Sequence, residues 1–167
     1  KLLCVSDGGM NIAPTLEQKE DILMNAYEVY KALGYEKVKA CGLGAKEKVN
    51  PKMPATVDAN DLEERLEAED LIYEGPLALD LALSKEAAET KGFKSEVAGD
   101  VDIILVPTIE VGNALGKAMT YVGQAESAGI IMGAKIPVVL TSRADDAKTK
   151  LYSIALGAII AKYMKGE

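Results

Sequence analysis

Leu2-Leu3-Cys4-Val5-Ser6-Asp7-Gly8-Gly9-Met10-Asn11-Ile12-Ala13-Pro14-Thr15-Leu16-Glu17-Gln18 decides the fold class. The run Leu2 to Val5 is short, apolar and free of helical spacing, so it reads as a buried strand. Asp7-Gly8-Gly9 is a turn. Thr15 with Gln18 three residues later is a capping box, in which each side chain satisfies a backbone N–H of the other's segment. Pro14 keeps the helix from starting sooner. Leu16, Ile22, Leu23, Ala26, Val29, Tyr30 and Leu33 then recur at near-helical spacing until Gly34, which is placed as a left-handed cap. Strand, loop, helix N-terminus is the unit of an α/β layered fold.

The same alternation continues to the end of the chain. Val38 to Leu43 reads as a strand and Asn50-Pro51-Lys52-Met53-Pro54 as a rigid connection, since two prolines so close continue neither helix nor ladder. An amphipathic helix is expected from Val57 to Glu69, a strand from Leu71 to Glu74, a turn at Gly75-Pro76, and a small helical segment from Leu77 to Leu83. Ser84 caps a helix from Lys85 to Lys91. Gly92 to Gly99 is a candidate linker. Ile103 to Val106 reads as a buried strand, Val111 to Val122 as a helix with Gly112 and Asn113 in its first turn, Ile130 to Met132 and Val138 to Thr141 as two further strands. A last helix runs from near Asp145 toward Met164.

Composition removes several classes of chemistry. The chain has 167 residues, enough for one domain or two small lobes, and its 49% hydrophobic content supports a real core. Lys plus Arg number 19 against 26 Asp plus Glu, a net charge of −7, and no basic cluster is interleaved with aromatics. No nucleic-acid partner is expected, because phosphate backbones must be neutralised. With no histidine, the commonest general base and metal ligand are both missing, and serine-hydrolase and His-based zinc readings fall. Cys4 and Cys41 have no metal or CxxC spacing and read as buried free thiols. No run is long and apolar enough for a membrane span, no signal segment is visible, and a cytoplasmic protein with no metal is expected.

Ligands in open parallel sheets gather beyond the C-terminal ends of strands, where loops enter helix N-termini. Four junctions carry unusual combinations: Ser6 to Asn11, Glu74 to Leu77, Pro107 to Asn113, and Thr141-Ser142-Arg143-Ala144-Asp145-Asp146. Only two arginines exist. Arg65 lies in an acidic helix and reads as a solvated ion pair. Arg143 follows a Val-Val-Leu-Thr strand end, where it either grips phosphate with its planar fork or satisfies neighbouring carboxylates. Ser142 is either an oxyanion donor or a helix cap. Asp145 and Asp146 include either a general base or two acids opposing the helix macrodipole. Asp7 with Gly8 and Gly9 forms either an anion nest or a turn needing positive φ. Asn113 is either a ligand-facing amide or a plain helix start. Gly42-Leu43-Gly44 lacks the third glycine of a dinucleotide fingerprint.

Taken in order, Asp7-Gly8-Gly9-Met10-Asn11-Ile12-Ala13-Pro14-Thr15, Val49-Asn50-Pro51-Lys52-Met53-Pro54-Ala55-Thr56, Gly75-Pro76-Leu77-Ala78-Leu79-Asp80, Ser95 to Asp100, Glu110-Val111-Gly112-Asn113 and Thr141-Ser142-Arg143-Ala144-Asp145 resemble the phosphate acetyl/butyryltransferases, nearest the butyryl branch. The resemblance covers nearly the whole chain. It implies exchange of a short acyl group, butyryl or similar, between coenzyme A and inorganic phosphate. These are substrates, and no cofactor is implied. It also implies a two-lobed fold similar to the isocitrate and isopropylmalate dehydrogenases, usually in a homo-oligomer. By resemblance Arg143 stabilises charge on the carbonyl and phosphoryl oxygens and Ser142 hydrogen-bonds near the CoA sulfur. Asp7, Gly8, Gly9, Asn11, Gly112, Asn113 and Thr141 are expected to bind substrate.

The chain departs from the family pattern in places. The acetyl branch has an aspartate a few residues past the Ser-Arg pair, but the spacing here, through Asp145-Asp146-Ala147-Lys148-Thr149, differs, so which of Asp145 and Asp146 is the base stays open. Thr108 and Glu74 stand where the family commonly has Asp, and Glu63 to Asp70 is shorter. The chain also begins where the second lobe of the family begins. Residues 1–136 are therefore expected to form that second lobe and residues 137–167 to return to a first lobe that is largely absent. The last helix would expose Leu151, Ile154, Ala155, Ala158 and Ile159, and residues 1–167 alone would be a weak catalyst or none. The alternative function is a non-catalytic module that binds acyl-CoA or acyl phosphate. An oxidative decarboxylase on the dehydrogenase-like fold would need metal-binding aspartates and a nucleotide site that the sequence lacks.

Overall fold

A computed structural model of the chain describes residues 1–166. Four strands, β1 (Cys4–Ser6), β2 (Val38–Leu43), β3 (Leu71–Leu77) and β4 (Ile103–Leu105), form one parallel sheet in the order β1-β4-β2-β3. Helices α1 (Leu16–Ala32), α2 (Pro54–Asp61), α3 (Leu79–Leu83), α4 (Lys85–Thr90) and α5 (Ile109–Tyr121) connect or follow the strands, and α6 (Ala147–Met164) closes the chain. Parallel strands need such crossovers, which bury both sheet faces.

Successive strand residues supply the two halves of the core. Ala40 and Ile103 face α1 and pack with Ile22, Leu23, Ala26, Tyr27, Tyr30 and Leu62. Their neighbours Cys41 and Ile104 face the other way, among Leu77, Leu81, Ala82, Ala88, Val97 and Val106. The expected capping box is present: the Gln18 N–H donates to Thr15 Oγ1 at 3.3 Å, and the Thr15 N–H to Gln18 Oε1 at 2.9 Å. Gly34 follows α1 with φ +85°, as its place after the last apolar residue required. Both cysteines are free, Cys41 buried and Cys4 half-buried, and burial pushes each thiol up to about 12.

Several expected boundaries are corrected. Strand β3 does not stop at Glu74 but runs through Gly75-Pro76 to Leu77, with a register shift against β2 between Cys41 and Leu43. This is tolerated because β3 is an edge strand, where a missing N–H breaks no ladder. Helix α2 begins at Pro54, whose fixed φ suits a first helical position, and ends at Asp61 before a 3₁₀ turn at Glu63–Arg65. Residues 92–99 are not a linker, since Val97 and Ala98 are buried in the core. The apolar runs at 130–132 and 138–141 form no strands. They meet in a single antiparallel bridge, Ile131 to Val138, and with no third strand among the described residues paired to either run the ladder extends no further.

Helix α6 buries only a narrow seam, Ser153, Gly157 and Ile160. Ser153 Oγ accepts the Gly129 N–H at 2.9 Å, and a Cβ on Gly157 would lie 2.6 Å from Val139 Cγ2, so the helix is held close against the 129–139 segment. Its larger apolar residues face outward: Leu151 is 62%, Ile154 59% and Ile159 44% exposed. No helix among the described residues is long and apolar enough to cross a membrane.

The opposite end of the sheet is tied by charge. Asp100 Oδ1 meets Lys1 Nζ and its Oδ2 meets Lys39 Nζ, both at 2.7 Å, while buried Asp102 accepts the Lys39 N–H at 2.8 Å. The hydrogen bonds from Lys1 and then Lys39 hold the Asp100 carboxyl down at about 2, against an ordinary 3.8. A depressed carboxylate stabilises the fold above its unfolded value and loses that contribution as the pH falls, here from 3.8 toward about 2. Because Asp100 is partly exposed, solvent screening keeps the effect small. Urea titrations across this window are expected to show a shallower acid decline in Asp100→Asn than in the wild type, and the difference should shrink in high salt.

Candidate active site

The C-terminal rim of the sheet is built from two interlocked loops. Asp7, directly after β1, turns its carboxylate back into its own loop: Oδ1 accepts from the Gly9 and Met10 N–H groups at 2.7 and 3.0 Å, and Oδ2 from the Asn11 N–H and Nδ2 at 2.8 and 2.7 Å. Partial burial works against ionisation, but these donors outweigh it and hold the carboxyl below its ordinary range. Neither Gly8 nor Gly9 has positive φ, so the expectation of a turn requiring it is corrected. Gly8 is needed for close approach instead. A Cβ there would meet Gly112 C at 3.0 Å and Asn113 N at 3.2 Å, and one on Gly112 would meet Asp7 O at 2.7 Å.

The second loop leads from β4 into α5. Thr108 is its N-cap residue but makes no side-chain cap, the Ile109 N–H donates to Ile12 O at 3.0 Å, and Asn113 Nδ2 donates to Gly8 O at 3.2 Å. Helix α5 begins two residues earlier than expected, which moves Gly112 to its fourth position and brings Asn113 over the Asp7 loop. Thus Asp7, Gly8, Gly9, Asn11, Gly112 and Asn113, predicted separately, come together at one end of the sheet.

Thr141, Ser142, Arg143, Asp145 and Asp146 form a separate turn before α6. The Ser142 N–H donates to Asp145 Oδ2 at 2.7 Å, the Asp145 N–H to Ser142 O at 3.1 Å, and the Ala144 N–H to Ser142 Oγ at 3.4 Å. Asp146, not Ser142, caps α6, with its Oδ1 accepting the Thr149 N–H at 2.7 Å. Arg143 is exposed at the tip. Among the described residues it has no ion-pair or hydrogen-bond partner, whereas Arg65 meets Glu20 at 2.6 Å as a surface pair. No hydrogen bond among the described residues joins this turn to the Asp7 and Gly112 cluster.

A model of the phosphate acetyl/butaryl transferase family matches residues 1–158. The chain belongs to the phosphate acetyl/butyryltransferase family. It is 48% identical over 162 residues to a phosphate acetyltransferase of Thermotoga maritima, covering 95% of this chain and 55% of that protein. It is 46% identical over 164 residues to a phosphate butyryltransferase of Clostridium acetobutylicum, covering 96% and 54%. The crystal structure of a branched-chain phosphotransacylase from Enterococcus faecalis V583 superposes with a TM-score of 0.88 at 42% identity, covering 94% of this chain and 57% of that one. The chain therefore spans about half the length of the curated relatives it matches.

One feature of this family member was not singled out from the sequence, and a second was singled out only in part. Lys19 is 6% exposed and pairs with Asp58 of α2 at 2.5 Å. It lies under the rim, in a cavity of about 10 Å³ that Val106 and Pro107 also line. A signal existed: Lys19 falls between Leu16 and Ile22 on the apolar face of α1, where a charge needs a partner. The other feature is a cleft of about 640 Å³ beside edge strand β3, lined by Glu47, Glu63, Glu74, Phe93, Ser95 and Glu96 among others. Burial pushes the Glu74 carboxyl up, against a hydrogen bond from the Ser95 hydroxyl. Of the four junctions singled out from the sequence, Glu74 to Leu77 reaches this cleft, through Glu74, Gly75 and Pro76, whereas none of the residues expected to be catalytic or to bind substrate lines it. Among the described residues no cluster of three or more Cys, Asp or Glu is arranged to hold a metal.

Proposed function

We propose that the chain carries the phosphate-handling part of an acyltransferase that exchanges a short acyl group, butyryl or similar, between coenzyme A and inorganic phosphate. The observation that carries this reading is Arg143: an exposed guanidinium in a family-matched segment, with both neighbouring carboxylates engaged by backbone N–H groups. A planar donor fork left free suits the oxygens of an acyl phosphate. Ser142 stands beside it as a hydroxyl donor toward the thiol. The Asp7 and Gly112 cluster at the sheet rim supplies the remaining substrate-binding residues, its loops interlocked by the close approach of Gly8 and Gly112. No metal or cofactor enters this scheme, since attack of a thiolate on an acyl phosphate, and its reverse, needs only charge stabilisation and proton transfer.

On this reading the complete enzyme has two lobes in a fold similar to the isocitrate and isopropylmalate dehydrogenases. Residues 1–136 form the second lobe, residues 137–167 complete the first, and the outward face of α6 packs within it. The enzyme works in the cytoplasm, which supplies both substrates, as a homo-oligomer. The test is release of free thiol from butyryl-CoA by the protein isolated at its native mass, with and without phosphate. Phosphate-dependent release is expected. Calorimetric binding of CoA with no thiol release under any phosphate concentration would replace the enzyme with a binding module.

A further inference from the structure

Within the 141–146 turn, three charged side chains lie close in sequence: Arg143, Asp145 and Asp146. An arginine flanked by two aspartates would ordinarily pair with one of them, which would occupy its fork. Here each carboxylate is turned to backbone instead. Asp145 Oδ2 holds the Ser142 N–H at 2.7 Å, and Asp146 Oδ1 holds the Thr149 N–H at 2.7 Å. The Asp145 N–H returns to Ser142 O at 3.1 Å, so both backbone groups of Ser142 are bonded to one residue and the turn is closed on itself. Arg143 and Ala144 form its tip. Lys148, the second residue of α6, is taken by Glu126 and does not compete for Asp145.

We infer that Asp145 is a positioning residue, whose carboxylate fixes the Ser142-Arg143 pair and keeps the guanidinium free, rather than the base that removes the thiol proton. The inference rests on the proposed acyltransferase function. The carboxylate oxygen that accepts the Ser142 N–H is held facing the backbone of its own turn, not the open side where a thiol would enter. What the turn needs at position 145 is an acceptor of the right reach, not a negative charge that gains and loses a proton. Asn keeps that acceptor in its amide oxygen, and Ala removes it.

The experiment compares Asp145→Asn with Asp145→Ala in the native protein, following both turnover and hydrogen exchange at the Ser142 amide. Asp145→Asn is expected to keep kcat/KM within about threefold of wild type, with the pH profile unmoved. Asp145→Ala is expected to lose about 100-fold, mainly in kcat, because the reacting group is misplaced rather than removed. Exchange at Ser142 should quicken about tenfold in Asp145→Ala and stay at the wild-type rate in Asp145→Asn. Equal losses in the two variants, with the acid limb of the pH profile abolished, would make Asp145 the base and overturn the inference. A wild-type protein without phosphate-dependent thiol release would defeat the proposed function instead, and the exchange readout would still decide the turn: identical rates in all three proteins would overturn the positioning role.

Discussion

Arg143→Lys is expected to lower kcat/KM for acyl exchange by about 10²–10³-fold, the cost of removing one well-placed donor set from a developing oxyanion. The charge is kept, so long-range steering of anionic substrates is not what is lost. What disappears is the planar fork that meets two oxygens at once, replaced by a compact, strongly hydrated ammonium. Arg143 is exposed and has no partner among the described residues, so the substitution disturbs no packing and stability should stay within about 0.5 kcal/mol of wild type. An intact melting curve with collapsed turnover therefore isolates the chemical role. Full turnover in the variant would remove Arg143 from the site.

The second large effect is on the fold. Lys19 and Asp58 form a pair at 2.5 Å with unequal surroundings: the Lys19 side chain is 7% exposed and that of Asp58 33%. Removing either partner breaks the pair, but the two losses differ. Asp58→Ala leaves an ammonium sealed between α1, α2 and the ends of β2 and β4, and is expected to cost about 3 kcal/mol. For a domain of this size that lowers Tm by roughly 6–12 °C. Lys19→Met removes the buried charge, keeps most of the stem volume, and leaves Asp58 able to rehydrate, so its cost should be smaller by at least about 1 kcal/mol. Thermal melts of the two variants decide the matter. Equal destabilisation would mean that the pair acts as a surface bridge.

The parts legible in the sequence are those set by local rules. Thr15 and Gln18 can only cap each other at that spacing, and Gly34 follows the last apolar residue of α1, so the first unit reads correctly from the chain alone. Strands β2 and β4 are equally plain as short apolar runs. The misreadings occur where a neighbour decides. Gly75-Pro76 looks like a turn, yet it lies within β3 because that strand is at the edge. The runs at 130–132 and 138–141 have strand composition but, among the described residues, pair only with each other, in one bridge. Gly8 reads as a turn glycine, whereas the approach of Gly112 is what excludes a Cβ.

The candidate site divides in the same way. The order of motifs carries the family, while the role given to the Ser142-Arg143 pair is part of the proposed function. The direction in which an aspartate points is not encoded in its identity. Asp7 reads as part of an anion nest or of a turn, and Asp145 and Asp146 as a base or as acids opposing the helix macrodipole, and only the placement of nearby N–H groups shows that all three accept from the backbone. Lys19 was hidden for the opposite reason, since a lysine in the first turn of a helix ordinarily reaches solvent.

The most direct test of the central claim is the ³¹P spectrum of the native protein acting on butyryl-CoA and inorganic phosphate. An acyl phosphate resonance growing in step with free CoA thiol, and in equal amount, is the predicted result. Thiol released without acyl phosphate would mean hydrolysis rather than exchange, and would contradict the account.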